Sequence, residues 1–179
     1  DVLRLWAASS DYRGDIRVSR SILDQVVDAY RKIRNTLRFL IANLGDFDPS
    51  SDRVPRAQML EIDRWALSRL GALIVRATGA YEQYEFHVVY HSLYDYCTVD
   101  LSAIYLDVLK DRLYCAGRDS LERRSAQTAM YDILLNLAML LAPILVHTAE
   151  EVWTHLPGEP PAESVHLMKW PAPDQIARE

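Results

Sequence analysis

One stretch of the sequence, from Ala29 to Gly45, carries four cationic side chains and no carboxylate. The cations are Arg31, Lys32, Arg34 and Arg38. An arginine side chain can hold a phosphate through two parallel hydrogen bonds and can stack on a nucleobase, so this composition favours an anion-binding surface. The whole chain is nevertheless acidic, with a formal net charge of -5 at pH 7. Positive charge is therefore concentrated, and the wider segment 13–38 has seven cations and three carboxylates, a net charge of +4.

The apolar residues of the same segment recur every three or four positions, which predicts an amphipathic helix. Its buried stripe would consist of Val26, Tyr30, Ile33, Leu37, Ile41 and Leu44. Arg31, Asn35 and Arg38 fall roughly opposite that stripe, and Lys32 and Arg34 fall on its two borders. A solvated helix face with local ion pairs is the ordinary interpretation of such a charge run. The functional interpretation is a nucleic-acid-binding face.

Other residues that could do chemistry lack the necessary neighbours. His87 and His91 share one predicted helix face, but the residue after His87 is not the Glu of a zinc protease motif, and no third ligand is evident. His147 and His155 have no spacing typical of a metal site, and we interpret them as structural. The sequence contains no recognisable phosphate-binding glycine loop, nucleophile elbow or Cys–His pair. We therefore expect a binding domain with no catalytic residue and no metal site.

The elements that position these side chains are predicted to be helices, because only six glycines and eight prolines interrupt 179 residues. Four long helices are expected: from Ser19 or Ser21 to about Asn43, Met59 to Tyr84, Phe86 to Val108, and Asp119 or Ser120 through Leu141. Gly45 should stop the first, and Pro143 should kink the fourth or begin a separate short helix. With short connections, these helices predict an all-α antiparallel bundle of about four long helices plus short ones.

The two ends of the chain differ from the middle. Leu3–Ala8 has the pattern of the tail of a helix. The Pro-rich stretch from Leu156 to Pro173 should form an extended C-terminal strap on the bundle, with Ser164–Trp170 as its only extended element. Neither a secretory leader nor a membrane span is evident, and Cys97 and Cys115 form no metal-binding or redox pair, so we expect a cytoplasmic protein without membrane contact.

Four segments resemble the bacterial isoleucyl-tRNA synthetases, in the same order along nearly the whole chain. They are Asp11–Tyr12 with Asp15–Ser19, Tyr30–Leu40 with Asn43–Pro49, Tyr105–Tyr114, and Leu141–Ile144 with Glu150–Trp153. The resemblance implies the helical anticodon-binding domain that follows the catalytic domain of a class I synthetase. It divides the chain into the end of a junction (1–8), the helical domain (9–156) and a C-terminal extended segment (157–179). The partners it implies are the anticodon stem-loop of isoleucine tRNA and the catalytic domain of the parent chain.

The resemblance also implies which residues would meet RNA: Arg17, Arg31, Lys32, Arg34, Asn35 and Arg38. The arginines would hold phosphates, while Asn35 or a tyrosine at the rim would read or stack a displaced base. The parent would be an ATP-dependent isoleucine–tRNA ligase that uses ATP and Mg, with zinc possible in modules not present here. The signature motifs of amino-acid activation are absent, so this piece alone should be inactive and hold no cofactor.

Two alternatives remain open at this stage. The chain could be the corresponding domain of a valyl or leucyl synthetase, because these sister enzymes share the architecture. It could also be a structural bundle whose basic helix docks on the catalytic domain and does not meet RNA.

Overall fold

The computed structural model describes residues 1–172, and within them every regular element is a helix. The α-helices are α1 (Val2–Ser9), α2 (Arg20–Ala42), α3 (Glu61–Glu82), α4 (Phe86–Asp95), α5 (Leu106–Val108), α6 (Lys110–Cys115), α7 (Leu121–Leu141) and α8 (Val146–Trp153). A π-helix, Tyr96–Tyr105, joins α4 to α5, and short 3₁₀ helices cover Arg56–Gln58 and Val165–Leu167. The predicted all-α helix bundle is confirmed.

Helix α7 forms the centre of the bundle. Its residues are buried around most of the circumference, and Ile133, Leu134 and Leu137 have no exposed surface. Helices α2, α3 and α8 pack directly on it. Pro143 separates α7 from α8, as expected, because proline cannot donate the backbone hydrogen bond that would continue the helix.

Side-chain caps fix where the two helices of interest begin. Ser19, one of the two candidate caps, accepts a hydrogen bond from the backbone N–H of Ile22 at 3.2 Å. Ser120 caps α7 in the same way. Helix α2 ends where predicted, but the residue that ends it is Asn43, whose backbone N–H bonds to carbonyls of the last turn. The prediction that Gly45 stops this helix is wrong, because Gly45 lies two residues beyond the C-cap, Asn43.

The predicted third helix is not a regular α-helix along its length. Its apolar residues recur every three or four positions and include Ile104 and Val108. That spacing predicts both to be buried, but they are 41% and 55% exposed. Tyr105 and Leu109 are buried in their place. A π-helix takes more residues per turn than an α-helix, so the inward-facing position moves along by one residue.

The C-terminal segment packs onto the bundle as a strap. The Trp153 indole N–H donates to the Ala162 carbonyl at 2.8 Å, and the Trp170 indole N–H donates to the Thr78 hydroxyl at 2.7 Å. Ser164–Trp170 is not fully extended, because it contains the 3₁₀ turn capped by Ser164. The predicted strap ends at Pro173, and residues 173–179 lie outside the described part. The division of the chain at residues 8 and 156 stays a prediction.

Candidate nucleic-acid interface

Helix α2 turns its apolar stripe to the core and its cationic face outward. Ile33, Leu37 and Leu40 are at most 1% exposed. The side chains predicted to meet RNA lie on the other side: Arg31, Lys32, Asn35 and Arg38 are exposed, and Arg34 is half-buried. The 3.6-residue period of the helix accounts for this separation.

Two of these cations have weak or neutral partners. Arg31 contacts Asp28 at 3.1 Å, but both side chains are about 70% exposed. Exposed pairs of this kind contribute on the order of 0.2–1 kcal/mol and are easily exchanged for another partner. Lys32 donates to the hydroxyl of Tyr94 at 2.9 Å and lies 5.5 Å from its ring centre. This hydrogen bond raises the pKa of Lys32, so the ammonium group stays charged.

The other predicted residues differ in how far they are engaged. Arg34 forms an ion pair with Glu151 at 2.9 Å. The side chains of Asn35 and Arg38 make no hydrogen bond or ion pair with any group in residues 1–172. Arg17 is equally without a partner there, in the exposed connection between α1 and α2. Lys32, Arg34, Asn35 and Arg38 thus share one surface, while Arg17 lies on a separate segment.

A cleft of about 510 Å³ opens beside Lys32, and we call it the Lys32 cleft. It is lined by Lys32, Asn35, Thr36, Phe39, Thr98, Ser102, Leu106, Asp107 and Lys110. Phe39 and Leu106 give it apolar surface. An amide, three hydroxyls, two ammonium groups and one carboxylate surround them, and the carboxylate, Asp107, pairs with Lys110 at 2.7 Å. Apolar surface with a few convergent polar groups is typical of small-ligand sites of this size.

The π-helix forms one wall of the Lys32 cleft. The Ser102 hydroxyl donates to the carbonyl of Cys97, five residues earlier, at 2.7 Å. It also lies 3.0 Å from the hydroxyl of Thr36 on α2, so a hydrogen bond joins the two walls. Thr36 is 3% exposed, which makes this junction part of the packed core and gives the cleft a fixed shape.

A second, smaller cavity of about 290 Å³ lies on the opposite border of α2, and we call it the α2–α8 groove. It is lined by Arg34, Leu37, Arg38, Ile41, Ala42, Thr148, Glu151, Val152 and His155. The Nδ1 atom of His155 lies 2.8 Å from the carbonyl oxygen of Glu151. Two guanidinium groups, one carboxylate and one imidazole therefore face the same small volume.

Several other arginines brace the fold. The carboxylate of Asp63 is fully buried and receives two hydrogen bonds from Arg112, at 2.7 and 3.2 Å, one from Tyr105 at 2.8 Å and another from Ser125. The network ties α3 to the π-helix, α6 and α7. Arg112 belongs to one of the segments that carried the family resemblance, but its contacts are internal.

A second carboxylate, Asp46, anchors the connection after α2. Both of its oxygens accept from Arg123 at 3.1 Å, and one accepts from Gln127 at 2.7 Å. Partial burial opposes ionisation, but the hydrogen bonds from Gln127 and Arg123 outweigh it, and the pKa of Asp46 lies below its ordinary value of 3.8. These contacts hold the end of α2 against α7.

Sequence reasoning missed residues that come from other parts of the chain. Tyr94 accepts a hydrogen bond from Lys32, Lys110 lines the Lys32 cleft, and Glu151 and His155 line the α2–α8 groove. Lys110 carried a signal, since it is one of only three lysines in the chain. His155 was interpreted as structural, because spacing along the chain does not reveal its position beside Arg34 and Arg38.

Within residues 1–172, no group of three or more His, Cys, Asp or Glu side chains is arranged to hold a metal ion. No helix in that range combines the length and apolar character needed to span a bilayer.

Residues 63–179 match the family described as the anticodon-binding domain of tRNA ligase. Curated relatives are isoleucine–tRNA ligases. That of Moorella thermoacetica is 59% identical over 172 residues, which is 96% of this chain and 18% of that protein. That of Symbiobacterium thermophilum is 56% identical over 176 residues, or 97% of this chain and 19% of that protein. The chain thus spans 18–19% of the length of these relatives.

A solved structure has a similar fold. It is the ternary complex of Agrobacterium radiobacter K84 agnB2 LeuRS with tRNA and LeuAMS, and it matches with a TM-score of 0.68. The match covers 99% of this chain and 20% of that chain, at 17% sequence identity. Likeness at this level of identity concerns the fold alone.

Proposed function

The chain belongs to the family of anticodon-binding domains of tRNA ligases, and we propose from that premise that it binds the anticodon stem-loop of isoleucine tRNA. The isoleucine–tRNA ligases among its relatives support the choice of tRNA. Joining of amino acid to tRNA, with ATP and Mg²⁺, would then occur in parts of a cytoplasmic parent enzyme outside this chain. A zinc module would also belong to those parts.

One observation carries the proposal: an exposed cationic helix face with a shaped cavity on each side, in a chain that is acidic overall. A basic stripe confined to one helix is the electrostatic footprint of a nucleic-acid-binding protein. Arg38 and Asn35 support it further, because both side chains are exposed and have no partner in residues 1–172.

The residues of this face would have two kinds of role. Arg31, Arg34 and Arg38 would bind phosphates of the loop, with Arg17 as a more distant contact, and these contacts would set position and affinity. Asn35 stands at the mouth of the Lys32 cleft, where its amide can both donate to and accept from the edge of an unstacked base. Lys32 would hold the adjacent phosphate.

A protein contact is proposed for a different surface. In the connection between α1 and α2, Tyr12, Ile16 and Val18 are 51%, 44% and 62% exposed. Apolar side chains gathered in one exposed segment favour a partner surface, and we propose the catalytic domain of the parent chain. This contact leaves the α2 face free for RNA.

Fluorescence anisotropy with isoleucine tRNA and an unrelated tRNA, over a salt series from about 50 to about 200 mM, tests the proposal. Three or four phosphate contacts predict a slope of log affinity against log salt of roughly -2 to -4. Arg31→Ala combined with Arg38→Ala should weaken binding of both tRNAs, whereas Arg76→Ala, which removes an exposed charge from α3, should not.

The outcomes separate the competing functions. A preference for isoleucine tRNA that disappears in Asn35→Ala supports base reading at the Lys32 cleft. A preference for valine or leucine tRNA would assign the chain to a sister enzyme. A slope near zero, or full binding by the double arginine variant, would overturn RNA recognition by α2.

A further inference from the structure

We propose that the α2–α8 groove is a phosphate-binding subsite in which His155 acts as a proton-dependent third donor beside Arg34 and Arg38. This inference rests on the proposed function, because the ligand we expect is a backbone phosphate of the bound RNA. It assigns a binding role to His155 and a competing role to Glu151.

The hydrogen bond of His155 fixes which ring nitrogen carries the proton. A carbonyl oxygen can only accept, so the contact of 2.8 Å with the Glu151 carbonyl assigns the hydrogen to Nδ1. In the neutral ring, Nε2 is then an acceptor with a lone pair, and it has no partner within residues 1–172. An acceptor repels a phosphate oxygen. Protonation at Nε2 turns the same atom into a charged donor, while the Nδ1 contact stays in place.

Protonation of His155 changes the net charge that a ligand in the groove would meet. Arg34 and Arg38 face the groove from α2, Glu151 faces it from α8, and His155 faces it from the turn that follows α8. With neutral His155 the four groups sum to +1, and with protonated His155 they sum to +2. The carboxylate of Asp1 contacts Thr148, which lines the groove. It accepts hydrogen bonds from the backbone N–H groups of His147 and Thr148 and from the Thr148 hydroxyl. A phosphate monoanion or diester thus meets a more complementary site once His155 is charged.

Glu151 occupies the position that an incoming phosphate would take on Arg34. Its carboxylate oxygen lies 2.9 Å from the guanidinium group, and the two side chains are 54% and 38% exposed. An ion pair at this exposure exchanges readily for a ligand. A phosphate that displaces Glu151 gains Arg34 as well as Arg38, and the carboxylate acts as a competitor that keeps the empty groove from binding stray anions strongly.

The first test needs no RNA. Nitrogen-15 NMR of the histidine rings follows the titration midpoints of His155 and His147 with and without inorganic phosphate. Phosphate should raise the midpoint of His155 and shift its Nε2 signal. His147 is exposed on α8 but does not line the groove, so its midpoint should stay unchanged. Equal shifts at the two rings, or none at His155, would overturn the subsite.

The second test measures isoleucine tRNA binding at constant ionic strength, at about pH 5.5 and about pH 8. A midpoint raised by half a unit to one unit corresponds to binding about three- to tenfold tighter at the lower pH. His155→Gln should remove this difference, His147→Gln should keep it, and His155→Lys should bind tightly at both pH values. Glu151→Gln should bind tighter than the unaltered chain at about pH 8.

The two tests distinguish the inference from the function beneath it. A phosphate-dependent shift at His155 without tRNA binding would refute RNA recognition and keep the subsite. Binding of tRNA with the same pH dependence in His155→Gln and the unaltered chain would refute the role of His155 and keep RNA recognition.

Discussion

Replacing Arg112 by alanine should destabilise the fold without affecting the RNA-binding face directly. Arg112 makes two hydrogen bonds to Asp63, whose side chain has no exposed surface, and Arg112 itself is only 15% exposed. The substitution leaves a buried carboxylate with donors from Tyr105 and Ser125 but without its counter-charge. A group in that state is costly, since the surrounding protein solvates it poorly.

The magnitude follows from this burial. Removing one partner of a buried ion pair costs about 3–5 kcal/mol, and domains of this size have total stabilities of about 5–15 kcal/mol. The unfolding free energy of a domain of this size falls by about 2 kcal/mol per molar urea, so the urea midpoint should fall by about 2 M. The variant Arg112→Ala should therefore remain folded in the absence of urea unless the stability of the unaltered chain lies at the bottom of that range, at about 5 kcal/mol.

Far-UV circular dichroism in urea measures the stability, and anisotropy without urea measures tRNA binding by the folded fraction. Arg38→Ala is the matched comparison, because it deletes the same charge from an exposed position. Its unfolding free energy should change by no more than about 0.5 kcal/mol. Its slope of log tRNA affinity against log salt should become shallower by about 0.7–0.9. The two arginines should thus show opposite patterns.

A double variant tests the cause of the loss. Asp63→Leu combined with Arg112→Met removes both charges and fills the space with apolar groups, so it should recover much of the stability that Arg112→Ala loses. An unchanged midpoint in Arg112→Ala would refute the account of the buried pair. A loss of tRNA affinity beyond the unfolded fraction would place Arg112 in the RNA contact.

Three further predictions concern other parts of the molecule. Asn35→Ala should reduce the preference between tRNAs by about tenfold while the salt slope, measured in the same titrations, stays constant. Gly158→Ala should lower the unfolding free energy by about 1–3 kcal/mol in urea melts, because φ is +75° there and an added Cβ would lie 2.8 Å from Pro49 Cγ. Because the pKa of Asp46 is lowered in the folded chain, its ionised carboxylate stabilises the fold above pH 3.8, and this contribution is lost as pH falls through the folded pKa. Circular dichroism should therefore show acid unfolding beginning at a higher pH in Arg123→Ala than in the unaltered chain.

Much of the fold could be predicted from the sequence, because residues close together in the chain determine where a helix begins and which of its faces is buried. The period of Ile33 and Leu37 fixed the face of α2, and the hydroxyl of Ser19 fixed its start. The π-helix was not readable, because residues spaced three or four apart fit both an α-helix and the first turns of a π-helix. The buried positions Tyr105 and Leu109 reveal the difference only through the surfaces they pack against.

The candidate site was predictable only in part. The outward direction of Asn35 and Arg38 follows from helical spacing, and the family was identified from motifs that the relatives confirm. The partners of α2 could not be predicted, since Tyr94 is 62 positions from Lys32 and Glu151 is 117 positions from Arg34. Spacing along one helix says nothing about which side chains a distant helix brings beside it.

Negative charge on the rest of the chain should affect the orientation in which RNA binds to the cationic face of α2. A side-chain-bearing helix is about 10–12 Å across, so the Lys32 cleft and the α2–α8 groove lie on opposite flanks of α2, within reach of a single nucleic-acid loop. Elsewhere the net charge is negative and repels phosphate. A loop that crosses α2 with a phosphate at Arg38 and a base toward Asn35 meets favourable groups on both flanks. Because attraction is concentrated on this strip, the orientation of the RNA should be selected before any base is read.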